Sequence, residues 1–126
     1  MQGLHLIADL HDCRCPTGFL LDAPGLEAFC VAACERHGLT VVGCYFHQFR
    51  NESGEPAGVT GTVVLAESHL AIHTWPELGG VTLDVYVCNY SGDNSARAHA
   101  LFDESIASFA PARAERQQVF RGNLRA

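Results

Sequence analysis

Apolar and polar residues trade places at every step along residues 81–88, where Val81, Leu83, Val85 and Val87 alternate with Thr82, Asp84 and Tyr86. Successive side chains of a strand point to opposite faces, so this period of two predicts a strand with one buried and one wetter face. A different period rules residues 24–38. Leu26, Phe29, Cys30, Ala33 and Cys34 recur at helical spacing, Pro24 stands where a first turn tolerates it, and Gly38 supplies the stop. Ala98, Leu101, Phe102, Ile106 and Phe109 repeat the helical pattern over residues 94–109 until Pro111 ends it. Apolar runs predict further strands over residues 4–9, 40–49 and 59–65, with a last short one over 117–121. Residues 12–17 and 50–58 carry turn residues and read as connections. The order strand, helix, strands, helix, strand predicts an α+β fold, a two-layer sandwich of a mainly antiparallel sheet with two helices on one face.

Composition narrows the setting. A chain of 126 residues fits one domain, and a domain of this size buries roughly two thirds of the surface its unfolded chain exposes. Hydrophobic residues make up 48% and charged residues 17%, the balance of a soluble globular chain. No apolar run approaches the roughly 20 residues needed to cross a bilayer, so no membrane association is expected. The start, Met1-Gln2-Gly3-Leu4-His5-Leu6, lacks the basic flank and apolar segment of a secretory signal. The cytoplasm is therefore the expected compartment, and the six cysteines are expected as thiols. A formal charge of −6 with only eight Lys and Arg leaves no basic stripe for phosphates, which excludes nucleic acid as the expected partner and favours a small cationic substrate.

Cysteine and histidine spacing invites a zinc reading, which the patterns then weaken. Cys30 and Cys34 lie on the apolar stripe of the first helix, where a thiol acts as a small hydrophobe. Cys13 and Cys15 have no second pair at zinc-finger spacing. His69 and His73 are four apart, but Pro76 and the interleaved apolar residues oppose the helix that a two-histidine zinc motif needs. No metal is expected.

Candidate chemistry concentrates in Ala66-Glu67-Ser68-His69-Leu70-Ala71-Ile72-His73-Thr74-Trp75-Pro76-Glu77. A serine hydroxyl can attack the carbonyl carbon of the preceding residue, here Glu67, converting the peptide into an ester. A base then removes the serine α-proton, expels the Glu67 carboxylate and leaves dehydroalanine, which hydrolyses to a pyruvoyl group. Such a group forms a Schiff base with an amine and serves as an electron sink. Glu-Ser-His alone does not establish this, since an idle serine in a turn satisfies the same three residues.

Gly58-Val59-Thr60-Gly61, the segment from Ala66 to Glu77 quoted above, Asp84 and Cys88 together closely resemble the prokaryotic S-adenosylmethionine decarboxylase proenzyme family. The similarity is strong over residues 58–89, weaker but in register at Leu4-His5-Leu6-Ile7-Ala8-Asp9 and Phe46-His47-Gln48-Phe49, and only in outline beyond. The resemblance implies an S-adenosylmethionine decarboxylase-like fold and a chain that cuts itself between Glu67 and Ser68. The products would be residues 1–67 and residues 68–126, the second capped by a pyruvoyl cofactor made from Ser68. It implies that His73 is the base that breaks the ester, a role suited to an imidazole, that Thr60 supports processing where the family usually has serine, and that Cys88 is the acid that reprotonates the substrate. A thiol is mostly protonated at neutral pH and can donate. Glu77 would hold the ribose hydroxyls, and Phe49 would stack on adenine and the sulfonium. The implied reaction converts S-adenosylmethionine to the aminopropyl donor of spermidine synthesis, in a homodimer with sites between protomers.

Three departures bear on the substrate. Residues 50–57 replace a short Leu-Pro-Tyr link, Leu78-Gly79-Gly80 stands where Tyr-Gly-Tyr is usual, and Leu10 where an aromatic is common. Fewer rings and the added Glu52 and Glu55 would suit the guanidinium or ammonium tail of arginine or ornithine on the same fold. A non-catalytic regulatory homologue is the remaining alternative, which the joint presence of Ser68, His73 and Cys88 opposes.

Overall fold

The computed structural model describes residues 2–125 and shows six antiparallel strands in the order β2-β3-β4-β5-β1-β6 with all helices on one face. The strands are β1 (Gly3–Cys13), β2 (Val41–Arg50), β3 (Pro56–Leu65), β4 (Ser68–Trp75), β5 (Gly80–Cys88) and β6 (Pro111–Arg121). The helices are α1 (Thr17–Leu21), α2 (Ala23–Arg36) and α3 (Ser95–Phe109). The expected α+β sandwich is present, and its core is the one that periodicity picks out. Val81, Leu83, Val85 and Val87 of β5 share one buried core with Leu26, Cys30, Ala33 and Cys34 of α2 and Leu101, Phe102 and Phe109 of α3. Each fully buried aliphatic or aromatic side chain contributes about 1.5–3 kcal/mol. No helix among the described residues is long and apolar enough to cross a membrane.

Four elements differ from the sequence expectation. β4 occupies the segment that carries the candidate chemistry: Leu70, Ile72 and Thr74 point inward while His69, Ala71, His73 and Trp75 lie on the other face. Only Ala66 and Glu67 separate it from β3, the length of the tightest hairpins. β6 is not a short strand, because it pairs with β1 along its whole length, from Gly3 opposite Arg121 to Cys13 opposite Pro111. α1 sits within a segment read partly as a turn; at five residues it is too short to show a period. Residues 50–58 are partly strand, with Arg50 opposite Pro56 and Phe49 opposite Gly58, so the connection shrinks to a hairpin tip of residues 51–55. Asn51 closes that tip by accepting from the Ser53 and Glu55 backbone N–H groups through Oδ1, at 2.9 and 3.0 Å.

Two polar side chains lock the helical layer to the sheet. Thr74 is buried, and its hydroxyl donates to the Leu20 carbonyl at 2.7 Å while accepting from the Val59 N–H at 2.9 Å. Gln48 takes the place of a helix cap: Oε1 accepts from the Ala23 N–H at 2.8 Å, and Nε2 donates to the Leu21 and Gly58 carbonyls at 2.7 and 3.0 Å. Asp22, the residue before α2, makes no side-chain cap bond, so Gln48 satisfies a donor that would otherwise be left over.

Gly61 pairs with Phe46 on one side and Ile72 on the other, and a Cβ at Gly61 would overlap the Phe46 ring. The ring rests where a side chain would otherwise stand. Gly61→Ala is expected to expel Phe46 from its seat against the core and cost about 1–3 kcal/mol, as overpacking does. Urea unfolding checks this, since an unchanged midpoint would mean that the ring moves aside freely.

Candidate active site

The sheet face opposite the helices carries most of the polar chemistry, and strand register determines which groups meet. Thr60 on β3 is the direct partner of His73 on β4, and the Thr60 hydroxyl lies 3.0 Å from His73 Nδ1. His47 on β2 stands opposite Thr60 on the other side, and its ring meets Phe49 edge-on at 4.7 Å between centroids. Phe49 and Glu77 line one cavity of about 200 Å³ together with Thr60 and Trp75. Glu77 is placed there by the single turn at Pro76–Leu78, which closes with Gly79 at φ +62. Only a residue tolerant of the left-handed region can end the turn this way.

Ser68 lies at the other end of β4. It pairs with Val87, and its hydroxyl oxygen accepts from the Cys88 backbone N–H at 3.4 Å. The Cys88 side chain is buried at the end of β5. Beside Ser68 opens a second cavity, of about 180 Å³, lined by Ala66, Glu67 and Ser68 together with Ser91, Asn94 and Arg97. The bond between Glu67 and Ser68 is thus bordered by open space, which a rearranging backbone requires.

One chain does not bring these two ends together. Ser68 and His73 are five positions apart on one strand, ~16 Å at about 3.3 Å per residue. The structure therefore holds two half-sites, one with Thr60, His73, Phe49 and Glu77 and one with Glu67, Ser68 and Cys88.

Sequence reading missed a cluster in the middle of the open face. His5 Nε2 and His69 Nε2 both reach Asp84 Oδ2, at 2.8 and 3.0 Å, from three neighbouring strands. These donors stand close enough together to suggest a metal, but the proton count favours hydrogen bonds. Arg121 lies with Nη1 3.3 Å from His5 Nδ1 and its guanidinium 4.4 Å over the Tyr86 ring. An arginine can only donate, so His5 Nδ1 accepts and Nε2 carries the hydrogen that Asp84 receives. A metal would need the lone pair that Nε2 then lacks.

The cysteines outside the site have the environments expected of thiols. Cys30 and Cys34 are buried in the core, where desolvation pushes the Cys30 thiol up and raises Cys34 to about 12. Burial foremost, with Cys15 and Asp12 adding to it, raises Cys13 to about 11. Buried thiols resist ionising because the thiolate loses its hydration. Glu52 and Glu55 sit on the exposed hairpin tip and line neither half-site cavity.

Known proteins provide a separate line of comparison. The family described as S-adenosylmethionine decarboxylase matches residues 4–122. An S-adenosylmethionine decarboxylase proenzyme of Pelotomaculum thermopropionicum is 44% identical over 86 residues, 68% of this chain and 63% of that protein. One of Picrophilus torridus is 38% identical over 123 residues, 96% of this chain and 85% of that protein. In the relatives of higher identity, from P. thermopropionicum and Methanococcus vannielii, the match spans less than two thirds of the relative, 63% and 65%. The crystal structure of the adenosylmethionine decarboxylase of Aquifex aeolicus superposes with a TM-score of 0.81 at 34% identity, over 98% of this chain and 92% of that one.

Proposed function

Because the chain belongs to the S-adenosylmethionine decarboxylase family, we propose that it cuts its own backbone before Ser68 and then decarboxylates S-adenosylmethionine for polyamine synthesis. The observation that carries the reading is the division of the site along β4. Self-cleavage needs both Ser68 and a base, and His73 lies too far away in its own chain. Two copies packed by their open faces, with strands running in opposite senses, would set the Ser68 end of one against the His73 end of the other. That face exposes Tyr45, Phe49, Val64, Trp75 and Val119, apolar surface that a homodimer would cover.

Each residue has a role consistent with its surroundings. With the Thr60 oxygen accepting from Nδ1–H, the His73 lone pair lies on Nε2 of an exposed ring, ready to take the Ser68 α-proton. A hydroxyl is all this contact uses, so Thr60 serves as serine would. Ser68 fits the precursor of a pyruvoyl cofactor, because its oxygen is held by the Cys88 N–H beside open space. A pyruvoyl group supplies an electrophilic carbonyl that captures an amine and draws off the electron pair left when carbon dioxide departs. Cys88 returns a proton to the substrate carbon. Phe49 stacks on the adenine and Glu77 accepts hydrogen bonds from the ribose hydroxyls, which their shared cavity supports. The hairpin-tip position of Glu52 and Glu55 gives no support to arginine or ornithine as substrate. The thiol-rich chain suits a reducing cytoplasm.

Purified protein is expected to run as residues 1–67 and 68–126, the second with a ketone cap, in a dimer by sedimentation. It should release carbon dioxide from S-adenosylmethionine and not from arginine or ornithine. A single intact chain after prolonged incubation would overturn the enzymatic reading in favour of a regulatory homologue.

A further inference from the structure

We propose that Arg97 receives the Glu67 carboxylate as the chain is cut, and so acts as a leaving-group residue in self-processing. The inference rests on the self-cleavage reading above. Arg97 is in the first turn of α3 and lines the same small cavity as Glu67 and Ser68, the two residues of the bond to be broken. Its described hydrogen bond runs from Nη1 to Asn94 Oδ1 at 3.1 Å, which leaves most of a five-donor fork uncommitted. No carboxylate lies within ion-pair distance of it among the described residues. The guanidinium is seated over Gly38, where a Cβ would lie 3.3 Å from Nε. Glycine at φ +79 both turns the chain after α2 and leaves this seat open.

The segment at Glu67 is tethered. The Ala66 N–H donates to the Thr40 carbonyl at 3.0 Å, so after cleavage Glu67 is a one-residue tail whose Cα stays within about 3.8 Å of an anchored neighbour. The new terminus stays at the cavity rather than leaving it.

The charge appears in a defined step. Once the ester has formed, a base takes the Ser68 α-proton, the C–H electron pair becomes the Cα–Cβ double bond, and the Cβ–Oγ bond breaks with its pair going to Glu67. Water then adds and ammonia leaves to give the ketone. Glu67 ends with two carboxylates on one residue, in a chain whose formal charge is already −6. A guanidinium in the same small cavity offers two parallel charge-assisted hydrogen bonds to the departing group.

The test follows freshly translated protein by intact mass, with hydroxylamine added at intervals to trap the ester as a hydroxamate at Glu67. Arg97→Gln keeps a donor for Asn94 but removes the charge. It is expected to eliminate about tenfold to a hundredfold more slowly than wild type, with trapped ester accumulating and an unchanged melting temperature. Arg97→Lys should recover most of the rate, and added salt should slow wild type while leaving Arg97→Gln unaffected. Wild-type kinetics in Arg97→Gln with no excess ester would overturn the role. So would equal slowing in both variants together with a lowered melting temperature, which would make Arg97 a surface stabiliser. Failure of the wild-type chain to cleave would instead overturn the self-cleavage reading.

Discussion

Ser68→Ala is expected to remain one chain of 126 residues however long it is incubated, and to release no carbon dioxide from S-adenosylmethionine. Alanine has neither the oxygen that attacks Glu67 nor the leaving group whose loss creates the ketone, so the defect is complete rather than a slowing. The fold should survive, because Ser68 is half-buried and its described contact is the 3.4 Å bond from Cys88. The informative partner is His73→Ala, which keeps its serine but lacks the base and should stall as an ester or an uncut chain. Refolded together, the two inactive chains form some mixed pairs. In these, the Ser68 of the His73→Ala chain faces the intact His73 of the other copy. Mass spectrometry should then show fragments from the His73→Ala chain alone. If mixing restores nothing while His73→Ala cuts itself at the wild-type rate, the two half-sites are not shared between copies.

Cys88→Ala separates the cut from the chemistry that follows it. The contact between Cys88 and Ser68 runs through the main chain, which alanine retains. The variant should therefore cleave normally and still bind substrate. What it lacks is a positioned acid to return a proton to the substrate α-carbon, a loss worth about 10² to 10⁴ in rate. A proton delivered to the cap side instead leaves the amine on the enzyme, so the ketone at residue 68 becomes alanine and turnover stops early. Mass analysis of residues 68–126 after substrate treatment reads this directly. Wild-type turnover with an intact cap would make Cys88 a packing residue at the end of β5.

What could be read from sequence follows from which elements carry a period. α2, α3 and β5 have one face in the core and the other in water, so their patterns match their environments. β4 alternates equally well at Leu70, Ile72 and Thr74, but its outward positions before Trp75 hold histidines and an alanine and Pro76 follows directly, so that face lacks the β-branched enrichment that marks a strand. β6 is an edge strand exposed over most of its length, so nothing in Ala112, Arg113, Glu115 or Arg116 announces a strand, and its pairing with β1 is what forms it. In the site, the motif pointed to Ser68, His73 and Thr60. Five residues of extended strand keep the first two apart, which a reading of the motif by itself does not reveal. The His5, His69 and Asp84 cluster depends on β1 lying beside β5, a neighbour relation that local patterning does not contain.

That strand order has a consequence for the life of the molecule. A break after Glu67 assigns β1, β2 and β3 to one piece and β4, β5 and β6 to the other, yet β1 is inserted between β5 and β6. Three ladders, β3 with β4, β1 with β5 and β1 with β6, then join separate polypeptides. The pieces are woven together and cannot part without dismantling the sheet. An uncut chain has only itself to fold, whereas a protein cut there and then unfolded would have to reassemble from two strangers that meet by diffusion. Such a cut would leave the native state preserved mainly by how slowly it comes apart, and denaturation would then be close to a one-way event.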